Sequence, residues 1–174
     1  MAGSEQPAVL YEGRYCRLVR VGRWEFVKRR NICGIVGILA ITPDGRMVLV
    51  EQYRAPVAAR VVEIPAGLAG DDGRGEDLAA AARRELEEET GWRAERMTLL
   101  AGGAASAGIT DEIITLYRAE GLVKVSAGGG DDSENITVHE VPLDDVPAFM
   151  AACAERGVVV DLKVYAALYF AAKR

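Results

Sequence analysis

The segment at residues 76–90 constrains this chain more than any other. It is rich in Ala, Leu, Arg and Glu, contains no Pro or Gly, and is followed by Gly91. Residues that favour helix and then stop at a glycine are typical of an α-helix. Within it, Glu85, Glu88 and Glu89 are spaced i, i+3 and i+4, so they share one face. Like charges at that spacing destabilise an isolated helix, so another interaction must compensate for their repulsion.

Two explanations account for these glutamates. One is a solvated charged face, in which Arg83 pairs with Glu87 and Arg84 pairs with Glu88. The other is a divalent-cation site, because hard cations such as Mg²⁺ bind carboxylate oxygens and often sit where phosphates arrive. The helix residues alone leave both explanations open.

The rest of the chain predicts strands and further helices around this segment. Strand-prone residues indicate a hairpin at 11–30 with Gly22-Arg23 as its turn, after a loose tail at 1–8. Asp161 is a suitable cap for a last helix. The remaining predicted elements are strands at 32–42, 47–53, 61–64, 99–100, 109–117 and 136–141 and a second helix from 142. This order predicts a single α/β or α+β domain.

Composition narrows the function classes. The 174 residues carry 21 basic and 26 acidic side chains, a net charge of −5, which argues against a nucleic-acid-binding protein. The longest apolar runs, at 35–41 and 164–172, are too short to span a bilayer, so neither a membrane nor a nucleic acid is an expected partner. No signal peptide is evident, and three scattered cysteines match no zinc or disulfide pattern. We therefore expect a cytoplasmic protein with buried, reduced thiols.

A longer pattern surrounds the glutamates. From Gly70 to Trp92 the chain reads Gly-x5-Glu-x7-Arg-Glu-Leu-x-Glu-Glu-x-Gly-apolar. This pattern resembles the signature of the Nudix hydrolases, which cleave nucleoside diphosphates linked to another moiety. The sequences at 51–54, 63–67 and 106–112 resemble the ADP-ribose pyrophosphatase branch, with Ala107 where proline is usual. The resemblance implies a Nudix fold, a mixed β-sheet sandwiched between helices, with an N-terminal β-hairpin.

The resemblance also implies a metal site for Mg²⁺ or Mn²⁺. Its implied ligands are the carboxylates of Glu85, Glu88, Glu89 and Glu134 and the backbone carbonyl of Ala66. Glu76 and Arg84 are expected to support these ligands from outside the coordination sphere.

One departure affects the backbone ligand. In the resembling branch the glycine of Pro-Ala-Gly opens the signature, but here Gly67 precedes the matching Gly70 by three residues. An insertion of that length in the loop would leave Gly67 in the structural role and make the match at Gly70 a coincidence. The backbone ligand is then either Ala66 or Ala69, and we favour Ala66.

The same resemblance suggests the remaining roles. Glu134 or Asp132 is expected to be the general base, and Glu88 is a further catalytic candidate. The implied substrate-binding residues are Arg54, Glu112 and Tyr53. The sole histidine, His139, lies outside every matched position, so we expect it to be structural.

The implied activity is metal-dependent hydrolysis of the diphosphate bond of ADP-ribose or a nucleotide sugar. Because Ala107 and the inserted loop alter the pattern, one alternative substrate set is GDP-mannose, another nucleotide sugar or a free nucleoside diphosphate. Another alternative is a nucleotide-binding regulatory domain without catalysis. The resemblance further implies a homodimer, formed through a tail and hairpin at 1–31 that precede a Nudix domain at 32–174.

Overall fold

The computed structural model describes residues 6–70, 75–130 and 135–173. The strands are β1 (Ala8–Glu12), β2 (Cys16–Val21), β3 (Trp24–Arg29), β4 (Gly34–Ala40), β5 (Arg46–Arg54), β6 (Ala59–Glu63), β7 (Ala66–Ala69), β8 (Trp92–Arg93), β9 (Arg96–Ala104), β10 (Ile113–Glu120), β11 (Val123–Lys124), β12 (Thr137–Pro142) and β13 (Val159–Val160). The α-helices are α1 (Leu78–Thr90), α2 (Val146–Glu155) and α3 (Leu162–Ala172), and short 3₁₀ helices lie at Ala55–Val57 and Leu143–Asp145.

Two four-stranded sheets form the body of the molecule. Their strand orders are β7-β4-β10-β9 and β12-β5-β6-β13. The pairs β4–β10 and β6–β13 are parallel, and the other pairs are antiparallel. Each sheet therefore contains one parallel pair among antiparallel pairs, which makes both sheets mixed, as the resemblance implied.

Strand β4 lies between two hydrophobic cores, which explains its dense run of apolar residues. Val36 and Ile38 belong to the core that contains Leu86 of α1. Leu39 belongs to the other core, together with Val164 of α3 and residues of α2. Helices thus cover the sheets on two sides, and the predicted fold class is confirmed.

Helix α1 begins two residues later than predicted because Asp77 caps it. The Asp77 Oδ2 atom accepts hydrogen bonds from the backbone N–H groups of Ala79 and Ala80, both at 3.1 Å. The helix ends at Gly91, whose φ of 70° is left-handed. A Cβ at Gly91 would lie 2.1 Å from the Ser126 carbonyl oxygen, so the glycine also permits close packing of the next loop.

The N-terminal segment forms a separate three-stranded antiparallel sheet, β1-β2-β3. The turn between β2 and β3 is the predicted Gly22-Arg23, but the prediction omitted β1, which pairs with the free edge of β2. The sheet contacts the body through a hydrogen bond from the Val27 N–H to the Ile109 carbonyl at 2.8 Å. An ion pair between Lys28 and Asp111 at 2.7 Å reinforces this contact.

The three cysteines are free thiols, but two of them lie at the surface. Cys153 is buried as expected, whereas Cys16 and Cys33 are exposed, so the expectation of burial is wrong for these two. Within the described part of the chain, no helix is both long and apolar enough to cross a membrane.

Candidate active site

A cleft of 720 Å³ lies where α1, β7 and the ends of β5 and β6 meet. Carboxylates of α1 line one wall, and side chains of β5, β6 and the start of α3 line the other. A groove of similar volume, 730 Å³, runs between α2 and α3, but its lining contains no charged side chain. The cleft is therefore the candidate for polar chemistry.

Helix α1 brings its three predicted metal-binding glutamates to the cleft. Glu89 is 4% exposed, and its Oε2 accepts a hydrogen bond from the Ala66 N–H at 3.0 Å. The side chain of Glu85 is 14% exposed and that of Glu88 is 53% exposed. The acidic face therefore runs from solvent at Glu88 to a buried carboxylate held against β7.

Gly67 allows β7 to pass directly over the acidic face. Gly67 pairs with Val36 of β4, and a Cβ at position 67 would lie 1.9 Å from the Glu85 carboxyl carbon. Gly70 has a separate role, because its φ is 71° and its N–H donates to Glu76 Oε2 at 3.1 Å. Gly67 is therefore required by the close approach of the Glu85 side chain, and Gly70 by its left-handed backbone.

The backbone of Ala66, not that of Ala69, lies beside the glutamates. Ala66 lines the cleft. Ala69 is fully buried, and its carbonyl accepts a hydrogen bond from the Cys33 N–H at 2.7 Å. This placement supports the preference for Ala66, whose role as a ligand stays a prediction.

Arg84 binds several carboxylates around the helix. Its guanidinium donates to both oxygens of Glu76 at 3.1 and 3.2 Å. It also lies 3.0 Å from Glu85 Oε1 and 3.0 Å from Glu88 Oε2. The hydrogen bonds from Arg84 lower the pKa of Glu76, although partial burial opposes this shift. Arg84 thus fixes the orientation of the acidic face.

The solvated-face explanation predicted two ion pairs on the helix, Arg84–Glu88 and Arg83–Glu87. The first is present and the second is not. Glu87 instead binds Arg93, with two hydrogen bonds at 2.7 and 2.8 Å. Arg83 instead donates to the carbonyl of Glu95, which lies between β8 and β9, at 3.3 Å.

The donor chemistry of the cleft fits a divalent cation, although the side chains do not form a closed cluster. Among residues 6–70, 75–130 and 135–173, no three His, Cys, Asp or Glu side chains converge on one point. Arg84 lies against two of the carboxylates that would have to converge. All candidate donors are nevertheless hard oxygen atoms, which Mg²⁺ and Mn²⁺ prefer.

Two catalytic candidates, Asp132 and Glu134, lie outside the described residues. The segment immediately before them is hydrogen-bonded to the backbone of α1. The Gly129 N–H donates to the Glu89 carbonyl at 2.8 Å, and the Gly130 N–H donates to the Glu88 carbonyl at 3.1 Å. Gly130 also lines the cleft.

Arg54 faces the glutamates from the opposite wall. Its Nε and Nη2 atoms lie 2.7 and 2.6 Å from Glu63 Oε2. Glu63 is 5% exposed, and its Oε1 lies 3.5 Å from Lys163 Nζ. The sequence analysis missed Glu63, Lys163 and Gln52 as cleft residues, although Glu63 lies within the matched motif at 63–67.

Glu112 lines the cleft and Tyr53 does not. Glu112 Oε1 accepts a hydrogen bond from Arg29 Nε at 2.6 Å, so the N-terminal sheet contributes to the cleft. Tyr53 is 59% exposed and lies between Gln52 and Arg54, both of which line the cleft. Since alternate residues of a strand face opposite sides, Tyr53 faces away from the cleft wall.

His139 lies outside the cleft lining. Its Nε2 is 3.0 Å from Glu51 Oε2, and its ring centroid is 5.1 Å from that of Phe149. Burial alone would raise the pKa of Glu51, but hydrogen bonds with Arg60 and His139 outweigh it and lower the pKa. These contacts join β12 to β5 and β6, which is a structural role.

Comparison with solved structures gives the same fold. The crystal structure titled "Crystal structure of ADP compounds hydrolase" aligns with a TM-score of 0.65 and 21% sequence identity, over 82% of this chain and 80% of that chain.

Sequence comparison identifies the family. A methanol dehydrogenase activator of Bacillus methanolicus is 47% identical over 113 residues, and an ADP-ribose pyrophosphatase of Bacillus subtilis is 40% identical over the same length. Each match covers 64% of this chain and 60% of the relative, so the chain spans less than two thirds of either protein. A GDP-mannose pyrophosphatase of Yersinia pestis is 30% identical over 136 residues, covering 73% of this chain and 67% of that protein. The NUDIX domain family matches residues 33–162, and the chain belongs to that family.

Proposed function

We propose that this protein is a metal-dependent hydrolase of a nucleoside diphosphate linked to another moiety, with ADP-ribose or a nucleotide sugar as the substrate. One observation carries the proposal. Three glutamates of α1 and the backbone of Ala66 meet on one wall of a 720 Å³ cleft whose other wall presents Arg54. The names of two relatives, an ADP-ribose pyrophosphatase and a GDP-mannose pyrophosphatase, support the same chemistry.

The proposed metal ligands are the carboxylates of Glu85, Glu88, Glu89 and Glu134 and the carbonyl of Ala66. A bound Mg²⁺ or Mn²⁺ would neutralise the diphosphate and lower the pKa of the attacking water. Arg84 and Glu76 keep the acidic face oriented through the hydrogen bonds between them.

The remaining steps belong to side chains of the protein. The planar guanidinium of Arg54 is suited to a bidentate contact with a phosphate. Glu112, held by Arg29, lies where it can accept a hydrogen bond from the substrate. Glu134 or Asp132 is the acid that would accept the proton of the attacking water.

Replacing Glu89 with Gln tests the proposal. The Gln carbonyl can still accept the hydrogen bond from Ala66, so folding should survive while the charge is lost. We expect kcat to fall at least about 100-fold, since the charge at the reacting phosphate is removed. The assay is phosphate release after phosphatase treatment, with ADP-ribose and Mg²⁺ or Mn²⁺.

Glu87→Gln is the matched control, because Glu87 lies on the same helix but binds Arg93 outside the cleft. It should retain the wild-type rate. An unchanged rate in Glu89→Gln would remove this residue from the mechanism.

A second substrate class has support from the match to a GDP-mannose pyrophosphatase, which covers 73% of this chain. A panel of ADP-ribose, GDP-mannose and free nucleoside diphosphates separates the two classes. Turnover of GDP-sugars with ADP-ribose inert would reverse our ranking.

A regulatory role without catalysis is the third possibility. It is favoured by the relative named a methanol dehydrogenase activator, which is 47% identical. It is opposed by the retention of Glu85, Glu88 and Glu89 in the cleft. The absence of turnover on the whole panel, with nucleotide binding intact, would favour regulation.

We also propose that two copies of the chain associate through the N-terminal sheet. Its strands leave large apolar side chains exposed, among them Val9 at 50% and Trp24 at 56%. A second copy would cover this surface.

A further inference from the structure

The last turn of α1 is capped by a distant segment of the chain, residues 124–130. An α-helix leaves its last four carbonyl groups without partners inside the helix. The segment binds three of these four groups in α1. Its hydrogen bonds run from the Gly130 N–H to the Glu88 carbonyl at 3.1 Å, from the Gly129 N–H to the Glu89 carbonyl at 2.8 Å and from Lys124 Nζ to the Thr90 carbonyl at 3.0 Å. The turn that carries Glu88 and Glu89 is therefore fixed from outside the helix.

Gly128 allows this segment to lie directly against the end of α1. A Cβ at Gly128 would lie 2.3 Å from the Thr90 carbonyl carbon and 2.6 Å from the Gly91 nitrogen. Both neighbours are backbone atoms, which cannot rotate away as a flexible side chain can. The φ of Gly128 is 71°, which other residues adopt only with strain. Any side chain at this position must therefore displace the end of the helix or the segment.

Glu89 is the glutamate that such a displacement would affect most. Its backbone carbonyl is bound by Gly129, and its carboxylate accepts the hydrogen bond from the Ala66 N–H at 3.0 Å. The residue is 4% exposed, so its side chain lies in a packed environment with little room for another rotamer. A movement of its backbone therefore becomes a movement of its carboxylate.

We infer that Gly128 is a positioning residue for the acidic face, because it lets residues 124–130 fix the helical turn that carries Glu88 and Glu89. The inference rests on the proposed function, which makes these two carboxylates metal ligands. It adds a residue that does not itself line the cleft. The competing explanation is that the segment stabilises the helix end and has no effect on the carboxylates.

Exchange of the Ala66 amide hydrogen reports the position of the Glu89 carboxylate without any metal. In EDTA, Gly128→Ala should make this hydrogen exchange about 10-fold faster, measured relative to the slowest-exchanging amides of the core. The core amides serve as the reference because they exchange only when the whole protein unfolds. Nuclear magnetic resonance spectra recorded after transfer to deuterated water give both rates.

Gly157→Ala is the matched control. Gly157 has a φ of 75°, close to that of Gly128, so alanine strains the backbone to a similar degree at both positions. An added Cβ at Gly157 would meet no heavy atom within 4 Å, and the residue follows the end of α2, outside the cleft lining. This variant should lower Tm by about 2–8 °C and leave the relative exchange rate of Ala66 unchanged.

Ser126→Ala tests the same segment with a change that the fold tolerates. Ser126 is exposed, and its Oγ accepts a hydrogen bond from the Gly128 N–H at 3.2 Å. Loss of this bond loosens the turn that places Gly128, so the relative exchange rate of Ala66 should rise about 3-fold. If Gly128→Ala does not fold, the result for Ser126→Ala decides the inference.

Binding of Mn²⁺ in the absence of substrate measures the consequence for the proposed metal site. Electron paramagnetic resonance should show Gly128→Ala binding Mn²⁺ about 10-fold more weakly than the wild type, as for other groups that orient metal ligands. Gly157→Ala should match the wild type.

Two results would overturn the inference. One is an Ala66 amide whose relative exchange rate is unchanged in both Gly128→Ala and Ser126→Ala. The other is a Gly128→Ala protein that binds Mn²⁺ as tightly as a metal-binding wild type. A wild-type protein that binds no Mn²⁺ and hydrolyses no substrate contradicts the proposed function, and the exchange rates alone then decide whether Gly128 positions Glu89.

Discussion

Gly67 is the residue on which the geometry of the acidic face most depends. A methyl group there would lie 1.9 Å from the Glu85 carboxyl carbon and within 2.4 Å of both its oxygens, so Gly67→Ala must displace the carboxylate or the strand. We expect the free energy of unfolding to fall by about 1–3 kcal/mol, as for other overpacked sites. Turnover should fall about 100-fold, because a shift of about 1 Å at a reacting group has that effect. Urea denaturation and the phosphate-release assay measure the two quantities.

Gly103→Ala provides the comparison for this prediction. Gly103 also lies within a strand, β9, but an added Cβ there would meet no heavy atom within 4 Å. Its stability and turnover should stay close to wild type. If Gly67→Ala behaves like Gly103→Ala, the close approach of β7 to Glu85 is not needed for function.

At the scale of elements, the sequence predicted what local patterns determine. Helix α1 could be predicted because its composition and the glycine at its end are properties of a short segment. Strand β7 could not, because Ala66–Ala69 is poor in β-branched and aromatic residues and follows a proline. It is a strand because it pairs with β4, which is a tertiary contact.

The residues of the candidate site also fall into two groups, those that a local pattern predicts and those that only tertiary contacts bring together. The three glutamates share a face because helical periodicity places them there, so one segment was enough to predict them. Gln52, Glu63 and Lys163 come from β5, β6 and α3 and meet only because β5 pairs with β6 and α3 begins beside them. No spacing in the sequence encodes that meeting.

The hydrogen bonds between Arg84 and Glu76 predict that the free energy of unfolding depends on pH. Hydrogen bonds from Arg84 lower the pKa of Glu76 below its ordinary value of 4.5. Because the pKa in the folded protein is lower than in the unfolded chain, the stabilisation is complete above about pH 4.5 and is lost as the pH falls through the folded value. Glu76→Gln should therefore destabilise the protein by about 1 kcal/mol near neutrality and by much less in acid.

Urea unfolding of both proteins at about pH 7 and about pH 3 measures this difference. Glu155→Gln is the control, since Glu155 is exposed at the end of α2 and makes no ion pair among the residues described. A destabilisation by Glu76→Gln that is the same at both pH values would contradict the role assigned to the ion pair.

On the scale of the whole molecule, the N-terminal sheet lacks a core of its own. Val19 is the single buried residue in β1, β2 and β3. A small antiparallel sheet is not stable in water unless a hydrophobic face is covered. The body contacts it at one edge, where Val27, Lys28 and Arg29 bind residues 109–112.

The strand register locates the surface that a second copy would cover. Val9 pairs with Val19, and Val19 pairs with Phe26, so these three side chains share one face of the sheet. Trp24 pairs with Val21 and lies on the same face, two residues from Phe26. Since Arg29 of this sheet also holds Glu112 in the cleft, association there would stabilise the candidate active site.

We therefore predict that the protein is a dimer whose association depends on this face. Sedimentation equilibrium over a range of concentrations should give twice the 18.7 kDa chain mass for the wild type. The double variant Val9→Ser/Trp24→Ser should dissociate to monomers at micromolar concentrations, because two exposed apolar side chains lose their cover. Tyr169→Ser, which alters a side chain 55% exposed on α3, should leave the dimer intact. A wild-type protein that sediments as a monomer at every concentration would show that the N-terminal sheet is stable without a partner.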